Sequence, residues 1–462
     1  MQKGKLLILG LIIGLFFLST LVGSAYAADE EPWKMINWNE PVSMYERTMG
    51  DWYIPPEGWK EAIDAEGTES ITLINSGAIS GDPAMQLNIQ YFEKLTGIDV
   101  KFEEVGEDDI NAKQTAALSG KTAHYDLVFL TTFSEAIIDY AMRGWLMPLN
   151  MLWTDEFTKV YSQETINTFM FNDDVYGFPY IGMGMKLHYR KDLLEEAGFD
   201  GPPETWDELV EYAKKLTVDT NGDGEIDRWG FGYHAGPRYS TMMMFGQFLV
   251  SSGGSLITDG SVKVDTPEII KALELLADLR NEYKVSPPGV NTYDYIQIPE
   301  LFSADKLAMS IGPNWAYQVI QSNEEVYSQY EMTHFPVRTT DLDRVDSFFD
   351  FSYYGVSPYS KNKAAALLFL DFLRSYQGRH SEVYIERNVV PNKSVWEAEE
   401  VHLQVPYADL LNESVKQAKF WTYPNATKTI DILNEEIGYA LLGNKSAEQA
   451  MKDAQSRIRR LR

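Results

Sequence analysis

The chain has no cysteine. That absence excludes disulfide staples, thiol catalysis and cysteine-ligated zinc. It also excludes a lipid-modified N-terminal cysteine as a membrane tether. A chain of 462 residues does not need disulfides, because it is long enough for two or three domains with cores of their own. Histidine is scarce as well: six are scattered along the sequence, with no His-Glu-x-x-His pair. No Gly-x-Ser-x-Gly elbow and no phosphate-binding Gly-x-x-x-x-Gly-Lys loop occurs. Carboxylates are plentiful, yet no pair is spaced in a way that argues for glycoside hydrolysis. Positive charge is in deficit, with 40 Lys and Arg against 68 Asp and Glu and a net charge of −28. Such a surface repels nucleic acid and anionic lipid.

Long apolar runs are missing too, with one exception. Leu6 to Val22 follows Lys3 and Lys5 and precedes Ala25-Tyr26-Ala27. A basic start, an apolar stretch and a small-x-small site read as a cleaved signal peptide over 1–27. An uncleaved anchor of the same length is the alternative. Either way the chain is expected outside the cytoplasm, in the periplasm or the extracellular space. Removing the segment takes two lysines and no acids, which leaves −30.

Residues 28–69 are rich in Trp, Pro and Glu without sustained periodicity and read as an irregular extension packed on the surface. From Ser70 the pattern becomes regular. Ile71–Asn75 reads as a strand, Asp82-Pro83 opens a helix, Ile98–Phe102 alternates as a strand, Ile110–Leu118 is helical and Asp126–Leu130 is a short buried strand. Later come a strand at Leu187–Tyr189, a helix at Pro267–Tyr283, a strand at Leu307–Ile311 and amphipathic helices at Lys361–Tyr376 and Ser446–Leu461. Thr205 followed by Glu208 predicts a capping box. The fold class is α/β, built as two lobes. Ligands of such sheets sit beyond the carboxyl ends of the strands.

Several stretches, taken in order, resemble one family. These are Tyr91-Phe-Glu-Lys-Leu-Thr-Gly97, Tyr125–Phe129 with Gly144-Trp-Leu-Met-Pro-Leu149, Tyr176-Gly-Phe-Pro179 with Leu187–Asp192, Pro203-Glu-Thr-Trp-Asp-Glu-Leu209, Ala308-Met309 with Gly312-Pro-Asn-Trp315, and Glu448–Ile458. The chain resembles the family 1 extracellular solute-binding proteins of ABC importers, the group that includes maltose-binding protein. The resemblance implies the periplasmic-binding-protein type II fold, in which two α/β lobes joined by a hinge close over a ligand. It implies an N-lobe of 70–179 plus 317–376 and a C-lobe of 180–316 plus 377–462. It also implies a non-catalytic monomer that delivers a carbohydrate or polyol to permease subunits. A secreted glycosidase or lectin-like module is the rival reading. The same fold could also serve a peptide, a polyamine or a phosphorylated solute.

Sugars are held by aromatic faces and polar edges, and 13% of the chain is aromatic. Trp315 stands where the family places a stacking tryptophan, with Asn314 beside it. Tyr180 lies at the first lobe crossing, where hinge packing is the alternative. Ser76 and Ser80 lie after the first strand. Thr132 and Phe133 follow the strand ending at Leu130; Phe133 departs from the charged pair of maltose-binding protein, which argues against maltose. Asp350 is flanked by two phenylalanines, and Trp421 and Tyr423 precede the last helices. Tyr239 and the run Met242–Met244 are placed on the C-lobe wall or in its core. Trp206, in the first turn of a helix, is read as structural. No cofactor is required. A structural calcium ion is the one metal suggested: Asp219, Asn221, Asp223, Glu225 and Asp227 place oxygens as a calcium loop does, although Gly230 stands where the bidentate glutamate belongs.

Overall fold

The computed structural model describes residues 31–38, 53–76, 82–131, 137–159, 161, 163–236, 239–342, 348–384, 389–390, 393–396, 398–417, 423 and 425–461. The expected signal peptide lies outside them. Among the described residues no helix is long and apolar enough to cross a membrane.

Local signals set the first units. Asp82 takes the N–H groups of Ala84 and Met85 on its carboxylate and starts a helix at Pro83, whose fixed φ suits the first turn. In chain order the elements used below are α1 (Trp59–Glu66), β1 (Ser70–Ser76), α2 (Pro83–Thr96), β2 (Asp99–Val105), α3 (Glu107–Ser119), β3 (Leu127–Thr131), β4 (Phe178–Arg190), α4 (Trp206–Leu216), β5 (Trp229–Gly232), α5 (Tyr239–Ser251), α6 (Pro267–Asn281), β6 (Leu307–Pro313), β7 (Tyr330–Thr333), β8 (Phe349–Val356), α7 (Lys363–Arg374), α8 (Tyr376–Tyr384), α9 (Ala408–Gln417), α10 (Ala426–Leu441) and α11 (Ala447–Ile458). The Thr205–Glu208 capping box forms as the sequence predicts.

One sheet of eight strands runs in the order β2-β1-β3-β8-β4-β6-β5, with β7 also paired to β4. β1 is parallel to β2 and β3, and β5 is parallel to β6, whereas β8 is antiparallel to β3 and β4. β4 is the long member. Its first half pairs with β8 up to Gly184, and its second half pairs with β6 from Met185 onward. The sequence pattern shows only Leu187–Tyr189 of it.

Two cores lie along this sheet. The first gathers β1 to β3, the start of β4 through Phe178, Tyr180 and Ile181, then Ile298, Phe302, Leu307 and the stretch from Tyr317 to Met332, β8 and α7. The second gathers the end of β4 through Met185 and Leu187, then α4, α5, α6, Ala308 to Ile311, α10 and α11. Val383, Val395, Trp396, Val401 and Leu411 join the first core, although the sequence reading places 377–462 in the second lobe. α8 folds back on α2, where Asn88 donates to the Gly378 carbonyl at 3.1 Å and accepts from Ser381 at 2.8 Å.

The N-terminal segment also departs from the expectation of an irregular surface extension. Ile36, Trp38 and Tyr53 are buried in the first core, and residues 59–66 form α1. Gly58 enters α1 at φ +83°, and a Cβ there would stand 2.3 Å from the Met35 carbonyl oxygen, so no larger residue fits. Glu66 accepts the N–H groups of Ala364 and Ala365 at 2.7 and 3.3 Å, which serves the start of α7 in place of a local cap. The Tyr53 hydroxyl donates to Asp371 at 2.5 Å, and Asp371 also holds Arg374.

Candidate functional site

β6 ends at Pro313, which has no N–H with which to continue a ladder. The next residue continues it in another way. The Asn314 N–H donates to the Gly184 carbonyl at 3.0 Å, and its side-chain Oδ1 accepts the Gly184 N–H at 3.0 Å. Asn314 is therefore fixed to β4 where that strand passes from one core to the other. Its Nδ2 is buried and has no hydrogen-bond partner among the described residues. An unmade bond on a buried donor costs about 1–3 kcal/mol, so such a group marks a place for water or ligand.

Trp315 follows, half-buried, at the start of the short helix Ala316–Ile320. Its ring meets Tyr295 edge to face, with centroids 5.9 Å apart and planes at 87°. Pairs of this geometry hold both rings in place. The sequence reading did not find Tyr295, which sits in a polar loop after Asn291. It also did not find His234, two residues beyond the end of β5. His234 is 0% exposed, and neither ring nitrogen has a partner among the described residues. Burial pushes its imidazole down to about 3, opposed by the nearby Asp294, so the ring is neutral. The only sequence cue was a histidine next to a short strand whose neighbour Tyr233 belongs to the core.

β4 adds two buried polar groups to the same region. Lys186 lies opposite Gly312 in the β4–β6 ladder, and His188 lies opposite Ser310. Burial lowers Lys186 to about 7, with Glu413 pulling the other way. Burial also lowers His188 to about 4, and its Nδ1 bonds the Tyr330 hydroxyl at 2.8 Å.

The other expected site residues are placed as follows. Ser80, Thr132, Phe133 and Trp421 lie outside the described residues. Ser76, Tyr239 and Asp350 are described in backbone only: Ser76 pairs with Val105, Tyr239 begins α5 and Asp350 pairs with Met183. Tyr180 is 0% exposed and its hydroxyl donates to Glu382, while its carbonyl and that of Pro179 accept from Arg379. Its phenol is raised by burial first and by Glu382 next. That is the packing alternative for this residue. Tyr423 is buried in the second core, as are Met242 to Met244. Trp206 is structural as expected, buried in the second core and donating to Ser251 at 3.2 Å.

The loop from Asp219 to Asp227 does not gather its oxygens. Asp219 accepts from Gly222 and Gly224 at 2.7 and 2.8 Å, and Asp227 accepts from Thr220. Asn221 and Asp223 accept the N–H groups of Asp223 and Glu225, each at 2.8 Å. Among the described residues, no group of three or more His, Cys, Asp or Glu is placed to hold a metal ion.

Comparison with known proteins agrees with the fold. The family described as bacterial extracellular solute-binding protein matches residues 77–379. A binding protein of Brucella abortus is 26% identical over 84% of this chain and 92% of its own. The mannitol-binding protein of Pseudomonas aeruginosa is 21% identical over 85% of this chain and 92% of its own. An ABC transporter solute-binding protein from Thermotoga lettingae, solved with bound α-D-tagatose, superposes with a TM-score of 0.73. It is 25% identical and covers 85% of this chain and 99% of its own. A sheet that passes through two cores, with a half-buried tryptophan where the strands end, thus comes with a match over most of the chain. The chain belongs to the bacterial extracellular solute-binding proteins and has their type II periplasmic-binding-protein fold.

Proposed function

We propose that this protein is the exported receptor of an ABC importer, capturing a carbohydrate or polyol between two lobes and presenting it to membrane permease subunits. The lobes follow the two cores, and the hinge is the stretch of β4 and β8 that joins them. The receptor acts by binding alone and as a monomer. The observation that carries this reading is Trp315: a half-buried indole just past the carboxyl end of β6, one residue after Asn314, whose buried Nδ2 has no partner among the described residues. Sugars and polyols need that combination, an apolar surface for their C–H groups and a desolvated donor for a hydroxyl. The mannitol- and tagatose-binding relatives support the ligand class. Export rests on the signal-peptide pattern at 1–27 and on the extracellular character of the family.

The test is a thermal-shift titration with D-tagatose and D-mannitol, read together with tryptophan fluorescence. A ligand at a hundred times its Kd adds about 2.7 kcal/mol to the folded state. We expect a rise in melting temperature and a change in emission that is lost in Trp315→Ala. Release of smaller sugars from an oligosaccharide mixture would instead identify an enzyme and overturn the receptor reading.

A further inference from the structure

The two lobes also meet away from β4 and β8. The short helix Ile137–Met142 comes after β3, beyond its carboxyl end. Ile137 and Tyr140 are buried in the first core. A Cβ at Gly177 would stand 2.7 Å from the Ile137 side chain, and the Tyr140 hydroxyl bonds Thr115 of α3 at 2.7 Å. The first lobe therefore carries this helix. Ile138 and Asp139 lie between the two anchors, and both are half-buried. Ile138 packs against the first core and the second alike. Asp139 Oδ1 accepts the backbone N–H of Asn425 at 3.1 Å, although the two residues are 286 apart in the chain.

Asn425 belongs to the other lobe. It stands at the start of α10, between Tyr423 and Ala426, which are buried in the second core. Its backbone is left-handed, with φ +59° and ψ +30°, a region that asparagine tolerates better than most residues. A residue at the start of a helix is ordinarily extended, and its side chain takes an amide of the first turn. Asn425 does neither. What this terminus has is the carboxylate of Asp139, brought from the first lobe. α10 is sixteen residues long, and its N-terminus is the positive end of the helix dipole. The charge of Asp139 is thus favoured there in addition to its hydrogen bond.

We infer that Asp139 and Ile138 form a latch between the lobes, holding the cleft shut through contacts in which the ligand takes no part. The inference rests on the two-lobe receptor reading above. A ligand closes such a protein by binding the closed form better than the open one. Contacts made only when the lobes touch add to that preference. Parting the lobes breaks the Asp139–Asn425 bond and uncovers Ile138, so the closed form keeps both contacts and the open form keeps neither. The latch governs how long a bound ligand stays, while entry into the open cleft does not depend on it.

Distances between two spin labels on the full chain test this. The protein has no cysteine, so Ala116→Cys on α3 and Lys271→Cys on α6, both exposed, place one label on each lobe. Asp139→Ala should move the distance distribution toward longer values, with and without D-tagatose or D-mannitol. Asp139→Asn keeps an acceptor oxygen and loses the charge, so it should lie between alanine and wild type. Release of whichever sugar binds should be about 3- to 10-fold faster in Asp139→Ala and in Ile138→Ala, with association unchanged. Distributions that coincide in wild type and Asp139→Ala overturn the latch, whether or not either sugar binds. A lower melting temperature without a change in distance overturns it too, and identifies a fixed packing contact. A wild type that binds neither sugar overturns the carbohydrate reading alone, and the label distances still decide on the latch.

Discussion

Replacing Tyr53 by Phe should destabilise the protein by about 2 kcal/mol, because a hydrogen bond to a buried charged group contributes about 1.5–3 kcal/mol. The figure follows from what the change removes and what it keeps. The Tyr53 hydroxyl bonds Asp371 at 2.5 Å, and Asp371 is 0% exposed, so water does not replace the lost donor. Arg374 stays on the carboxylate through Nε at 2.8 Å and Nη2 at 2.5 Å, so the charge keeps its counter-ion. The ring keeps its edge-to-face contact with Phe372 at 5.2 Å. The unfolding entropy of a single unit of this size is about 1 kcal/mol/K, so the melting temperature should fall by about 2 °C. Burial raises the Tyr53 phenol well above its ordinary range, with Asp371 adding to the effect. The group is therefore a protonated donor throughout, and the loss should be the same at pH 6 and pH 9. Urea and thermal unfolding of the two proteins measure it, and hydrogen exchange over 31–38 reports whether the N-terminal segment loosens. A change below about 0.5 kcal/mol, within the range of a neutral surface substitution, would refute the reasoning. The segment would then be an accessory rather than part of the first core.

Other outcomes follow from single residues. Thr205→Ala removes the acceptor for the Glu208 N–H and should cost about 1 kcal/mol in urea unfolding, with Thr205→Ser restoring most of it. Lys186 is held at about 7 in the folded chain against an ordinary value of 10.5, so between those values the unfolded chain carries the extra proton. Stability from this residue therefore rises with pH over that window, by up to about 1.4 kcal/mol per pH unit. Lys186→Met should flatten the slope; equal slopes in urea series from pH 7.5 upward would rule this out. Calcium and chelator should give the same melting temperature, because the carboxylates of Asp219 and Asp227 are already engaged. A calcium-dependent rise would show that the loop rearranges around the ion.

The parts legible in the sequence are those set by neighbours in the chain. Asp82-Pro83 and the Thr205–Glu208 box announce their helices because capping is local. Trp315 could be placed from the residues before it, since the strand and the Gly-Pro that ends it set its position. What escaped depends on distance. Tyr180 could not be read correctly while its partner Glu382, 202 residues away, was unknown. α1 reads as irregular chain because its role, serving the start of α7 through Glu66, lies some three hundred residues downstream. Tyr295 carries no periodic signal; it becomes a site candidate only through its contact with Trp315.

The thirteen residues of β4 are common property of both cores. Neither half can be excised as a self-sufficient fragment, since a cut anywhere along this strand strips one of them of its central rib. Calorimetry should then record a single melting peak. Strain entering at Asn314 would pass through the Gly184 peptide into a rib that both halves share.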